Sequence, residues 1–379
     1  MTSPTSPVLQ PRGDSGAPLT FSTSLFRHIS PSLYLQRHLL RKPPTRPNNR
    51  QPSQHRDLTL TTNSLGHAHG SAVVRAGDTA VVCGVRGEIL TLLPGDDTSI
   101  FESYNHLSTS ATHSYSSRSS GGAGWGELIT PNVEISTGCS KKYPLGPPGA
   151  LAQTLSDQLR ELISASKLVE LTSLRIYDQD ADREAAQKIK GYWSIYVDIL
   201  CISLDGNILD ASWYAIVAAL ASAKLPLATW NQNEERIVCH KSLHHPVMLR
   251  SCLPFITTFA IVPVLGLPGN GTVDESVQTA NIMILNDPDS YEEDEAVETL
   301  TILSTTVFTV ETTQTPNVSS IKTRIERMEK IGGWKLGMSQ LAQCIQLAAA
   351  KAAHYTETLL QEGSWSKQSN QTSASLRTF

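Results

Sequence analysis

Several stretches of the chain have residue types and spacings that could carry chemistry. Gly266-Leu267-Pro268-Gly269-Asn270-Gly271 follows an apolar run, and its bare backbone N–H groups could cradle a phosphate. It lacks the Gly-Lys-Ser/Thr ending of a phosphate loop and no helical pattern follows it, so a hairpin loop is expected there. His67 and His69 share a face if the chain is extended, as two metal ligands could, but no acid or third ligand lies close in sequence. His244-His245 has the same shortage, and both pairs are read as structural or surface residues. The acidic run Asp287, Asp289, Glu292, Glu293, Asp294 and Glu295 could bind a cation and is read as a solvated turn. No G-x-S-x-G elbow exists to support a hydrolase reading. The cysteines Cys83, Cys139, Cys201, Cys239, Cys252 and Cys344 form no CxxC pair, which points to reduced thiols and no metal site.

The 379 residues suffice for two domains or one large domain with extensions. No run of about 18 apolar residues occurs, so a membrane-spanning helix is excluded and no membrane partner is expected. Charged residues are 17%, below the roughly 25% of average soluble domains, which leaves Ser, Thr and Ala to cover surface that could face partners. Charge is unevenly placed. Residues 1–56 hold eight Arg or Lys and one acid, a balance of +7, and the other 323 residues hold 23 basic and 34 acidic side chains, a balance of −11. An acidic body does not suit a freestanding nucleic-acid binder, so any RNA contact must be local or shared.

These candidates rest on a chain that reads as two halves. Residues 1–25 are rich in Ser, Thr and Pro and are expected to be a disordered tail, with an organellar transit peptide as the alternative. The first half spans 26–230. It starts with a short helix over Phe26–Leu40 that Pro31 delays, followed by a Pro-rich connector. Two β-branched strands joined by Ala76-Gly77-Asp78-Thr79 look apolar on both faces and belong in the middle of a covered sheet. Residues 94–127 break all periodicity and read as a surface loop insertion.

After Gly146-Pro147-Pro148-Gly149, a helix carries Leu151, Leu155, Leu159, Leu162 and Ile163 on one core stripe. Trp193, Ile195, Val197, Ile199 and Cys201 alternate with polar residues up to an Asp205-Gly206 turn, as in a half-buried strand. An Ala-rich helix closes the half, and its Trp213 and Tyr214 look available to a partner. The second half, 231–361, repeats strands then helix, and 362–379 is a polar tail. The expected fold class is α+β, with two similar strand-then-helix halves and mixed sheets covered by helices.

Taken in order, these segments resemble the RNase PH superfamily, specifically the noncatalytic RNase PH-like ring subunits of the eukaryotic RNA exosome. Thr45-Arg46-Pro47-Asn48-Asn49-Arg50 is similar to a degraded form of that family's opening Arg-Pro-Asp-Gly-Arg, and Gly70-Ser71-Ala72 through Cys83-Gly84-Val85 to its first hairpin. Pro131-Asn132-Val133-Glu134, Leu145-Gly146-Pro147-Pro148-Gly149, Leu204 through Ala211, and Asp287-Pro288 before Glu292-Glu293 follow in the family's order over about residues 26–361. The resemblance implies an RNase PH-like fold and work as a scaffold in 3′–5′ RNA processing and degradation, including rRNA maturation. Implied partners are other RNase PH-like ring subunits, S1/KH-type cap subunits, a hydrolytic exoribonuclease subunit and RNA in the shared channel, with no cofactor. Implied placement is nucleus, nucleolus and cytoplasm.

Active relatives cleave RNA by phosphorolysis, which requires cationic groups holding an anionic nucleophile against an anionic substrate, plus a carboxylate. Two unit negative charges about 4 Å apart repel by roughly 4 kcal/mol at an effective dielectric near 20, so a guanidinium clamp matters. Where active members carry an Arg-rich segment, Cys139–Gly149 has no Arg, only Lys141 and Lys142. Asp205 falls where active members carry a catalytic carboxylate, and Asp210 follows it. Both are candidates for a vestigial site, while Asp205-Gly206 also reads as a plain turn and Asp210 as the cap of a helix starting at Ala211. Lys141, Lys142, Arg46 and Arg50 are the candidates for RNA contact. A non-catalytic scaffold is expected; the alternatives are an active phosphate-dependent exoribonuclease using Asp205, Asp210 and the lysine pair, and an RNA-binding module acting through Arg46, Arg50 and Arg56.

Overall fold

The computed structural model describes residues 22–92, 128–143, 149–178, 189–250, 253–264, 281–296, 298–309, 320–333 and 335–361. The expected insertion 94–127, the Gly266–Gly271 loop, Cys252 and the tail 362–379 lie outside the described residues, as does most of the tail 1–25.

The alternating apolar residues of the first half build a mixed sheet in the order β1 (Leu58–Thr62), β2 (Gly70–Ala76), β3 (Thr79–Thr91), β6 (Ile189–Ser203), β4 (Ile129–Ile135), with β5 (Arg175–Tyr177) also on β6. Its pairings are antiparallel except β4 with β6, and the β2–β3 turn closes at Ala76 and Thr79 as expected. Trp193, Ile195, Val197, Ile199 and Cys201 of β6 are all buried. They face a core shared with α3 (Ala150–Ser166), whose Leu155, Leu159, Leu162 and Ile163 form the buried stripe, whereas Leu151 at its start is exposed.

The Ala-rich segment forms α4 (Ile208–Ser222), a helix apolar on nearly every side and therefore suited to complete burial. It lies between the sheets, against β2 and β3 on one side and β9 (Pro254–Val264) on the other. Trp213 and Tyr214 are 0% and 4% exposed, and donate to the Pro254 and Ile256 carbonyls. They are core anchors of α4, which corrects their reading as partner-facing aromatics. Small residues bring α4 close: a Cβ on Gly70 would stand 2.5 Å from the Ala219 carbonyl oxygen.

Chain connection is by the hairpin β7 (Lys224–Asn231) and β8 (Arg236–Pro246). The division expected between residues 230 and 231 thus falls inside β7, and the hairpin joins the halves. A second, fully antiparallel sheet follows in the order β10 (Asn281–Asn286), β9, β11 (Glu298–Thr309), β12 (Ser320–Ile331), and α6 (Met338–Gln361) covers one face. Leu35 and Leu39 of α2 (Pro31–Leu39) pack on β9 and β10 residues of the opposite face. The N-terminal segment therefore belongs with the second half, although sequence order groups it with the first. It holds two helices, not one: α1 (Thr23–Ile29) starts within the expected tail, capped by Ser22, and Pro31 opens α2.

Candidate functional site

Three irregular segments meet beside the start of α4: the N-terminal stretch Arg46–Arg56, the β6–α4 turn through Leu204–Asn207, and the turn from β10 into α5 (Ser290–Glu295). The last two approach so closely that a Cβ on Gly206, at φ +76°, would lie 2.5 Å from Ser290 N. Only glycine satisfies both the handedness and the contact.

Asp287 is the hub. Its Oδ2 accepts from Arg56 N (2.9 Å) and Nε (3.0 Å), and its Oδ1 from Arg56 Nη2 (2.9 Å) and Asn207 Nδ2 (2.6 Å). Burial pushes this carboxyl up, but Lys351 and Arg56 outweigh that and hold it far below the usual carboxylate range. Arg56 also donates to the Asp205 carbonyl (2.7 Å), the Gly206 carbonyl (3.3 Å) and Thr79 Oγ1 (3.3 Å), so one guanidinium ties all three segments to β3. Arg46 is 0% exposed and pairs with Glu292 at 3.3 Å, while its Nη2 donates to the Pro52 (2.5 Å) and Asn286 (2.6 Å) carbonyls. Burial lowers its pKa to about 10. Arg50 lies 3.7 Å from both Asp287 and Glu292 and donates to the Asp287 carbonyl at 3.0 Å.

Asp210 belongs to a second buried network. It accepts from Lys351 Nζ (2.7 Å), Thr258 N (3.1 Å), Thr258 Oγ1 (2.7 Å) and Asn207 Nδ2 (3.0 Å). Lys351 stands over the rings of Tyr214 and Tyr355, and although burial lowers its pKa, Asp210 and its neighbours raise it above the ordinary lysine range. Asp210 is therefore not the cap of a helix starting at Ala211: α4 starts at Ile208, with Asn207 in the cap position.

The candidates thus separate. Arg46 and Arg56 are sealed in ion pairs and Arg50 is largely so, which removes Arg46 and Arg50 as RNA contacts and the three-arginine RNA-binding reading with them. Asp205 and Asp210 point to different uses, one at a cleft and one in the core. Lys141 and Asp205 line the same cleft of about 750 Å³ with Arg27, Tyr34, Tyr291 and Glu295. Arg27 stacks on Tyr291 at 4.4 Å, and exposed Lys142 pairs with Asp294. Burial, followed by the Asp289 carboxylate, raises the Asp205 pKa. Asp205, Asp294 and Glu295 share its wall with Arg27, His28 and Lys141, so among the described residues the cleft mixes both signs of charge and holds a single guanidinium.

The acidic run is not the solvated turn expected of it. Asp287 and Glu292 take the arginines, Asp289 and Glu292 form a capping box on α5, and Glu293 Oε1 accepts from Asn207 N at 2.7 Å. Sequence reading missed Arg56 as a structural hub, and also Lys351, Thr258 and Glu293. The only signal was the basic N-terminal stretch set against an acidic run late in the chain. His69 is likewise structural, its Nδ1 accepting from Gly87 N at 3.1 Å. Among the described residues, no three His, Cys, Asp or Glu are grouped to hold a metal ion.

Comparison with known proteins agrees with this architecture. The pattern described as RNase_PH, 3′ exoribonuclease family, domain 1, matches residues 54–226. Exosome complex component rrp43 of Schizosaccharomyces pombe is 31% identical over 333 residues, covering 88% of this chain and 96% of that protein. Exosome complex component Rrp42 of Thermococcus onnurineus is 24% identical over 319 residues, covering 83% and 90%. A chain of the Archaeoglobus fulgidus exosome, solved with RNA bound to the active site, shares the fold at a TM-score of 0.55 and 22% identity, with 86% and 96% covered.

Proposed function

Because the chain belongs to the RNase PH family of 3′ exoribonucleases, we propose that it serves as a non-catalytic ring subunit of an RNA exosome, joining other RNase PH-like subunits around a channel that carries RNA for 3′–5′ processing. One observation carries the non-catalytic part: the guanidinium groups of Arg46, Arg50 and Arg56 are engaged with Asp287 and Glu292. A phosphorolytic centre needs such cations free to face phosphate. The test is phosphate-dependent release of nucleoside diphosphates from RNA by the purified full chain. No release above a buffer control is expected, and release abolished by Asp205→Asn would instead establish the active exoribonuclease that the shared cleft of Lys141 and Asp205 leaves as a second reading.

Assembly is supported by apolar side chains on the face of the first sheet that no helix among the described residues covers. Leu65 and Leu200 line a groove of about 560 Å³ there, and Ile202 beside it is 52% exposed. In this proposal S1/KH-type cap subunits and a hydrolytic exoribonuclease subunit complete the complex, RNA passes through the ring, and the chain resides in nucleus, nucleolus and cytoplasm. Affinity capture of the tagged chain and microscopy of a fluorescent fusion test these points; a lone chain confined to another compartment contradicts them.

A further inference from the structure

Cys139 and Cys201 lie far apart in the sequence and meet where β4 leaves the first sheet. Ile135, the last residue of β4, stands opposite Cys201, and Ser136 N donates to the Cys201 carbonyl at 3.0 Å. The chain then turns: Cys139 N donates to the Ser136 carbonyl at 3.1 Å, and Leu204 N donates to the Cys139 carbonyl at 3.1 Å. Both ends of the turn are thus fastened to β6 and the residue that follows it. The two thiols are set against each other in a hydrogen bond, and Cys201 Sγ also reaches the Ser203 carbonyl at 3.4 Å.

The two sulfurs are unequal. Cys201 is 0% exposed on the core face of β6, whereas Cys139 is partly exposed. Burial raises the pKa of both thiols, to about 12 at Cys201, while hydrogen bonds from the backbone of Ser140 and from Cys201 draw Cys139 part of the way back. Cys139 is therefore the sulfur that a small oxidant reaches and the better thiolate of the two, with Cys201 placed to resolve it. The remaining burial makes the first step slow. Hydrogen-bonded sulfurs have to close by roughly 2 Å to form a disulfide, within the reach of side-chain and turn movement. The other described cysteines are placed differently: Cys83 and Cys344 are 0% exposed, and Cys239 stands exposed on β8.

We propose that Cys139 and Cys201 form a reversible intramolecular disulfide, with hydrogen peroxide as the two-electron oxidant. The Cys139 sulfur attacks peroxide, an S–O bond forms as the O–O bond breaks, and the thiol proton leaves with the departing hydroxide as water. The Cys201 sulfur then attacks the Cys139 sulfenic acid, an S–S bond forms as the S–O bond breaks, and the Cys201 proton leaves in a second water. Two electrons pass from the two thiols to the peroxide. The bond would tie down the segment that brings Lys141 to the cleft and Lys142 to Asp294, whether or not the chain is catalytic.

In the experiment the full chain is exposed to hydrogen peroxide at neutral pH, free thiols are then blocked, and the unreduced digest is mapped by mass spectrometry. The expected product is a peptide pair joined through Cys139 and Cys201, lighter than its separate parts by two hydrogens and released by dithiothreitol. It should be at least tenfold more abundant than any other cysteine pairing, should lose that preference when the chain is oxidised in urea, and should vanish in Cys139→Ser. Mapping of the wild type carries the test, so it does not depend on how the variant folds. Recovery of Cys139 as sulfinic or sulfonic acid beside a free Cys201 overturns the proposal. So does Cys139 linked mainly to another cysteine, an equal preference in urea, or a pair still free once the exposed Cys239 has been oxidised.

Discussion

Arg56 and Asp287, 231 residues apart in the chain, meet through three hydrogen bonds of 2.9, 3.0 and 2.9 Å. Because the same guanidinium also holds the β6–α4 turn, this pair fixes the geometry of the region where an active relative would place its chemistry. The positive charge of the N-terminal stretch is thereby matched by acids of the chain's own second half.

Arg56→Lys keeps the charge and loses the forked geometry, and Asp287→Ala leaves the guanidinium buried without its partner. Removing one member of a buried ion pair costs about 3–5 kcal/mol. Asp287→Ala should reach that range in urea unfolding and Arg56→Lys should fall short of it, while a loss below about 1 kcal/mol for Asp287→Ala would show that the pair is dispensable.

Acid pH should expose the same carboxylate. Burial raises the Asp287 pKa, yet Lys351 and Arg56 hold it far below the usual range, so the folded-state value is depressed. Its stabilisation is complete above the unfolded carboxylate value of about 3.9 and fades as pH falls below it, by up to about 1.4 kcal/mol per pH unit. Urea unfolding of the wild type between pH of about 5 and about 3 should therefore show a steeper loss than Asp287→Asn, and parallel curves would contradict the assignment.

Lys351 and Asp210 should behave as one unit. Lys351→Met alone strands the buried Asp210 carboxylate, and Asp210→Asn alone leaves the ammonium without its counter-charge. A double-mutant cycle should give a coupling of about 1–3 kcal/mol, with the double variant less damaged than the sum of the single ones. Strict additivity would mean that the 2.7 Å contact carries no net energy.

Lys141 is exposed at the cleft, and no hydrogen bond or ion pair holds its side chain among the described residues. Lys141→Ala should change stability by no more than about 0.5 kcal/mol. If Lys141 touches RNA in the assembled ring, the variant ring should bind RNA with a salt slope reduced by about 0.7–0.9. An unchanged slope removes Lys141 from the RNA path.

Much of the scaffold was readable because it is local and periodic. The alternation of β6, the stripe of α3 and the Asp205-Gly206 turn each reflect spacings that a single segment carries. What escaped was non-local. Helix α4 is apolar all round, so its pattern could not distinguish burial between two sheets from burial against a partner, and Trp213 and Tyr214 were assigned outward. Strand β12 is dense in charged residues such as Lys322, Arg324, Glu326 and Arg327, which hid an edge strand. At the site, no sequence spacing announces that Arg46 and Arg56 meet acids more than 230 positions away. Asp210 looked like a cap because its partner, Lys351, lies 141 residues further on.

The central claim is assembly without catalysis, and native mass spectrometry of the complex recovered with the tagged full chain from its own cells tests it most directly. A ring subunit gives a single assembly containing several different RNase PH-like chains with one copy of this protein. Recovery of this chain by itself, or only as copies of itself, would contradict the account.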